Sequence, residues 1–142
     1  MGDPMLTVIL PLATIVLLLI WMGFFMLGSL PLMILRHDTP LDARFIRGLF
    51  DVYYKAVMVV ASAGFIAHAV AQRPATTAGM AVIGAAAFCS RRAIVGRMDR
   101  LRLTMTPTDA IGIGRFRRLH VVGMLLNFAQ LVVICGGLPR VL

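Results

Sequence analysis

Glutamate is absent from this chain, lysine occurs once, and the six acids are all aspartate. Charged residues make up 14% of the 142 residues and hydrophobic ones 60%, with a mean hydropathy of +0.91. A soluble domain carries about 25% charged and about 45–50% apolar residues, which argues against a soluble enzyme. Soluble-enzyme signatures are missing too: there is no phosphate-binding loop, no G-x-S-x-G, no H-E-x-x-H and no dinucleotide fingerprint. Cysteine is limited to Cys89 and Cys135, outside any C-x-x-C pair or metal-ligand cluster, which reads as two inert thiols. No acid falls within an apolar run, which argues against carboxylate-held zinc or di-iron centres. The chain starts with Asp3 and no basic residue, and its apolar run continues to Leu35. It therefore reads as a retained first span rather than a cleaved leader.

What is present is apolar sequence in four blocks. A span takes about 20 residues, so the length suits an all-α, integral membrane four-helix bundle with short loops and a single domain. The spans are expected at about 6–34, 52–71, 75–94 and 118–138. In the first, Pro11 and Pro31 mark kinks or boundaries, and Trp21 lies mid-span, facing protein. Tyr53, Tyr54 and Lys55 open the second, as aromatic rings and a snorkelling lysine would at an interface. Ala63, Ala67 and Ala71 share one face of that helix and allow close helix approach. The third is crowded with Gly and Ala, so it is expected among other helices with little lipid-facing surface. Gly136, Gly137 and Pro139 end the fourth. Beyond the third span, RRAIVGRMDRLRL either continues the helix or lies on the membrane surface. TPTDAIG then turns, with Thr108 or Asp109 capping a short helix toward Arg115.

Twelve of the fourteen basic residues fall in two connections, residues 36–55 and 91–118. The positive-inside rule puts those connections in the cytoplasm and both termini outside. Abundant arginine with scarce lysine suggests a bacterial protein, hence the inner membrane and periplasmic termini. A net charge of +8 can indicate nucleic acid, but no soluble element is left to read a groove, so no nucleic-acid partner is expected. Membrane lipids, with anionic headgroups at the cytoplasmic connections, are the expected surroundings.

Polar groups at membrane depth are costly and so are candidates for function. The last span carries His120, Asn127 and Gln130, with Arg117 one turn before His120. His120 and Asn127 lie within roughly 20 degrees of each other on a helix. The stripe either fixes packing or forms a ligand, proton or headgroup site. His68 sits deep in the second span, roughly 24 Å from its basic end, too far from His120 for both to ligate one haem iron. It is expected to be packed among small residues and bonded to a carbonyl. His37 is placed to approach His120. Residues 40–50 can form an amphipathic interfacial helix, with Asp38 or Thr39 as cap, an apolar face of Leu41, Phe45, Leu49 and Phe50, and Arg44, Arg47 and Asp51 opposite. Arg44 or Arg47 would bind a lipid phosphate or pair with Asp51. Arg91 and Arg92 are further headgroup candidates.

Two segments resemble a known family. ARFIRGLFDVYYK (43–55) is similar to the segment between the first two spans of the TMEM205-like, DUF4149-type small four-span membrane proteins. RRAIVGRMDR (91–100) and FRRLHVVGMLLNFAQLVV (116–133) resemble that family's basic segment and last helix. The resemblance implies Phe50 and Tyr53 at a Phe-x-x-Tyr motif, Arg92 and Asp99 in the basic connection, and His120, Asn127 and Gln130 in the last helix. The first span departs from the family pattern at Leu-Gly-Ser-Leu-Pro (27–31). The family brings no assigned chemistry.

The reading these residues favour is a small non-enzymatic membrane protein, either an accessory or scaffold subunit or a binder of a small or lipid-like ligand. It would work as a homo-oligomer or within a larger complex. A homo-oligomeric transporter or channel is the alternative, since four short spans rarely enclose a path alone. A haem or redox membrane protein is the third. The sequence selects no cofactor.

Overall fold

The computed structural model describes Asp3, residues 5–34 and residues 40–137, with the side chains of Met5, Pro40 and Leu41 outside that description. The expectations for Arg36, His37, the Asp38 or Thr39 cap, Leu41, Pro139 and Arg140 lie outside it as well. Among the described residues the structure is helical, with no strand. A π-helical turn at Met5–Ile9 leads into α1 (Leu10–Ile34). Pro11 cannot donate a backbone hydrogen bond to the turn before it, and the wide turn falls where that donor is missing. There follow α2 (Pro40–Val70), α3 (Pro74–Ser90), a second π turn at Arg91–Val95, α4 (Gly96–Thr104) and α5 (Ala110–Gly137). The third span and the basic segment after it thus form one nearly continuous helix.

Among the described residues four helices are long and apolar enough to cross a membrane: Leu6–Ile34, Asp42–Val70, Pro74–Thr104 and Ala110–Gly137. Their outer surface has the chemistry of lipid contact. Ile20, Phe24 and Leu27 on α1 are 59%, 61% and 77% exposed, and Val133 on α5 is 72% exposed. Such density of bare aliphatic and aromatic surface on every long helix is a cost in water and none in hydrocarbon. The chain is a four-helix membrane bundle.

Segment 40–50 runs into the second span without a break. Nothing in Gly48-Leu49-Phe50-Asp51-Val52 stops a helix, and at 31 residues α2 is roughly 46 Å long. It outreaches a hydrocarbon core of about 30 Å. Its far end closes in a tight hairpin. Arg73 N donates to His68 O at 3.0 Å and Gln72 N to Ala69 O at 3.1 Å, the paired bonds of a Schellman cap. Gln72 takes the left-handed conformation there, φ 57°, a position that ordinarily favours glycine. Pro74 then occupies the first turn of α3, where its lack of an N–H costs nothing.

The helices stack in the order α3, α2, α1, α5. The row bends so that α4 meets α5, while α3 and α5 barely touch. On α1 the buried positions Ile15, Leu18, Met22, Phe25 and Ser29 form one stripe. It faces Ala43, Ile46, Phe50, Tyr53 and Val57 of α2 across the core. On α5 the buried positions are Gly112, Phe116, His120, Gly123, Met124 and Asn127, again one face. The short connection before α5 ends in a cap: Gly112 N donates to Asp109 Oδ1 at 2.9 Å. The other carboxylate oxygen of Asp109 fills the space a side chain at position 112 would need, which explains glycine there. Asp109 thus caps the last span itself rather than a separate short helix.

Candidate functional site

The polar residues of the last span divide between two environments. His120 and Asn127 are each 1% exposed and share the buried face of α5, as their spacing predicts. Asn127 joins three helices. Tyr53 Oη of α2 donates to Asn127 Oδ1 at 2.7 Å, and Asn127 Nδ2 donates to the carbonyl of Met22 in α1 at 3.1 Å. An asparagine amide in an apolar core must place both its donor and its acceptor, and here each is used between helices. Phe25 of α1 stacks on the Tyr53 ring at 4.1 Å between centroids, and Phe50 meets Phe25 edge-on at 4.8 Å. His120 lies edge-on to Phe50 at 5.5 Å. Phe50 packs so tightly on the backbone of Gly123 that no side chain fits at that position.

The other two residues of the stripe are placed differently. Arg117 is half-buried, and its Nη2 reaches the carbonyl of Met33, in the last turn of α1, at 3.4 Å. Gln130 is half-buried beyond Asn127. His68 is fully buried at the opposite end of the bundle. Its Nδ1 lies 2.9 Å from Thr76 Oγ1, and the Thr76 hydroxyl also reaches Arg73 O at 3.0 Å. The partner of His68 is therefore a hydroxyl of the α2–α3 hairpin, not a carbonyl. His120 touches Phe50, and α2 rises roughly 27 Å from Phe50 to His68, so the two histidines sit far apart. No group of three or more His, Cys, Asp or Glu residues gathers as a metal site among the described residues.

Of the basic candidates, Arg47 and Arg91 lie in an ion cluster that ties α2 to the third helix. Arg47 grips Asp99 in a two-pronged pair, Nε to Oδ1 at 2.8 Å and Nη2 to Oδ2 at 2.9 Å. Asp51, 8% exposed, accepts from Arg91 at 2.8 and 2.9 Å and from Lys55 at 2.7 Å, with Arg47 further off at 3.7 Å. Asp51 thus belongs mainly to Arg91 and Lys55. Arg44 is exposed, and Arg92 is exposed with its guanidinium 5.8 Å from the Phe88 ring centre.

Tyr53 and Asp99 had no assigned partners from the sequence. Tyr53 beside Tyr54 and Lys55 looks like an interfacial aromatic, yet it is 2% exposed and at the centre of the bundle. Its only advance signal was the need of a membrane-depth asparagine for a partner.

A further concave feature lies where α3 and α5 part. It is a cleft of about 680 Å³ between the end of α3, α4 and α5. Its floor includes Ala93, Ile94, Leu119 and Leu126, and at one end stand Arg97, Arg100, Arg115 and Arg118. All four arginines are exposed. The chain matches no family model, no curated protein and no solved structure.

Proposed function

We propose that this chain is a small non-enzymatic membrane protein that works by binding within the bilayer, as an accessory or scaffold subunit or as a receptor for a lipid-like ligand. The observation that carries this reading is the division of polar groups. Asn127 spends its hydrogen bonds between helices, as do Arg47, Asp51, Arg91 and Asp99 in ion pairs. The cleft between α3 and α5, by contrast, opens sideways, with arginines at its end that form no ion pair among the described residues. An internally satisfied core specifies shape, and an open amphipathic cleft offers a surface.

The orientation follows the arginine count. The ion cluster, the Arg-rich α4 and the start of α5 face the cytoplasm, and the α2–α3 hairpin faces the opposite side. Arginine abundance supports a bacterial inner membrane. The resemblance to the TMEM205-like, DUF4149-type proteins agrees with four spans and no assigned chemistry. Purification from the source membrane in mild detergent, followed by native mass spectrometry, tests the proposal. A stoichiometric partner subunit or retained lipid-like molecule is the expected result. A bare closed ring of identical copies would instead favour the transporter reading.

A further inference from the structure

We propose that the α3–α5 cleft is a seat for one anionic phospholipid, its phosphate held by arginines of α4 and α5 and an acyl chain lying along the apolar floor. The inference rests on the bilayer-binding reading above and names its ligand.

Four observations point the same way. First, the lining is amphipathic along its length rather than mixed. Cys89, Ala93, Ile94, Arg97 and Leu101 recur at helical spacing on one wall. Arg115, Arg118, Leu119, Val122 and Leu126 do so on the other. The cationic positions of both walls gather at one end, because the short connection between Thr104 and Ala110 brings the end of α4 beside the start of α5. Second, the dimensions suit one leaflet. From Arg115 to Leu126 the helix rises roughly 16 Å, about half of a hydrocarbon core of about 30 Å. A phosphate at the arginine end would therefore sit at headgroup depth with its chain descending toward Leu126.

Third, the charge is unspent. Among the described residues Arg97, Arg100, Arg115 and Arg118 form no ion pair, whereas Arg47 and Arg91 nearby are matched to Asp99 and Asp51. The same end of the bundle thus contains neutralised and unneutralised guanidinium groups, and four of the unneutralised ones stand together at one end of the cleft. Guanidinium groups bind phosphate oxygens through paired N–H donors. Fourth, the seam is open by construction: α3 packs on α2 and α5 on α1, so neither closes it. An apolar trough facing hydrocarbon is filled by a chain from the surrounding lipid, and the arginines choose which lipid.

The test uses the full chain in nanodiscs of equimolar phosphatidylcholine and phosphatidylglycerol, with retained lipid read by native mass spectrometry. A basic residue near an anionic surface is worth about fivefold in binding, so a phosphate shared by two arginines should give at least about tenfold enrichment of phosphatidylglycerol in the one-lipid adduct. The double variant Arg100→Gln/Arg118→Gln should bring the two lipids to near parity. Arg44→Gln/Arg92→Gln, which removes two exposed arginines outside the cleft, should leave the enrichment intact. Equal retention of both lipids by the unmodified chain, or enrichment that survives the first pair and falls with the second, overturns the proposal.

Trp21 fluorescence separates loss of the lipid seat from loss of bilayer insertion. Trp21 is the single tryptophan and, rather than facing only protein, is partly exposed on the outer surface of α1, so its emission should be quenched by brominated phosphatidylcholine in all variants. Quenching without phosphatidylglycerol preference removes the lipid seat alone. An unquenched Trp21 removes the bilayer reading and the seat with it.

Discussion

Replacing Asn127 with leucine keeps the number and branching of side-chain heavy atoms and removes two interhelical hydrogen bonds, from Tyr53 Oη and to Met22 O. Interhelical hydrogen bonds in membrane proteins average about 0.6 kcal/mol each, which gives about 1 kcal/mol for the pair. The hydroxyl left behind costs more. Tyr53 is 2% exposed, and a stranded buried donor costs about 1–3 kcal/mol. Met22 O loses less, since its helix supplies another donor. The expected destabilisation for Asn127→Leu is therefore about 2–3 kcal/mol.

Tyr53→Phe should cost about 1–2 kcal/mol on the same reasoning. The double variant should fall well short of the sum, because leucine facing phenylalanine strands nothing. A coupling of about 1–2 kcal/mol is expected. Reversible unfolding in mixed micelles, followed by far-ultraviolet circular dichroism, supplies all four corners of the cycle. Leu125→Ala is the control: Leu125 is 60% exposed on the same helix and should stay within about 0.5 kcal/mol. Additive single effects, or an Asn127→Leu loss no larger than that of Leu125→Ala, would refute the assignment of Asn127 as the joint of α1, α2 and α5.

Gly123→Ala should destabilise by about 1–3 kcal/mol through overpacking against the Phe50 ring. Gly48→Ala, with open space around the added methyl, should be neutral or stabilising by less than about 1 kcal/mol in the same unfolding assay. Gln72→Gly should raise stability by about 0.5–1 kcal/mol, since the left-handed backbone at the α2–α3 hairpin costs a glycine little. A loss on that substitution would mean that the Gln72 side chain makes a contact of its own.

The helices were legible because bilayer-length apolar runs are the strongest signal a sequence carries. The alignment of His120 with Asn127 was legible because helical periodicity alone fixes it. The continuity of 40–50 with the second span was not, since an amphipathic segment with Arg44, Arg47 and Asp51 has the pattern of a surface helix. The partners that neutralise Asp51 lie partly on another helix, Arg91, far along the chain. Arg47 likewise finds Asp99 across 52 positions. Such pairings depend on which helices become neighbours, and a single sequence does not state that. The same limit hid Tyr53, whose position suggested an interface and whose hydroxyl is needed by Asn127. The cleft was the least legible feature. Arg97 and Arg118 read simply as topology-setting charge, and only the separation of α3 from α5 turns them into the end of a trough.

The central claim is that the α3–α5 cleft, rather than the rest of the lipid-facing surface, is where this protein binds. A photoreactive diazirine side chain placed at Val122, on the cleft wall, and in a second variant at Leu125, on the outer face of the same helix, tests it in the source membrane. The account predicts that position 122 captures one discrete species, a phospholipid enriched in anionic headgroups or a single partner subunit, while position 125 captures the bulk lipid mixture. The same mixture at both positions would contradict it.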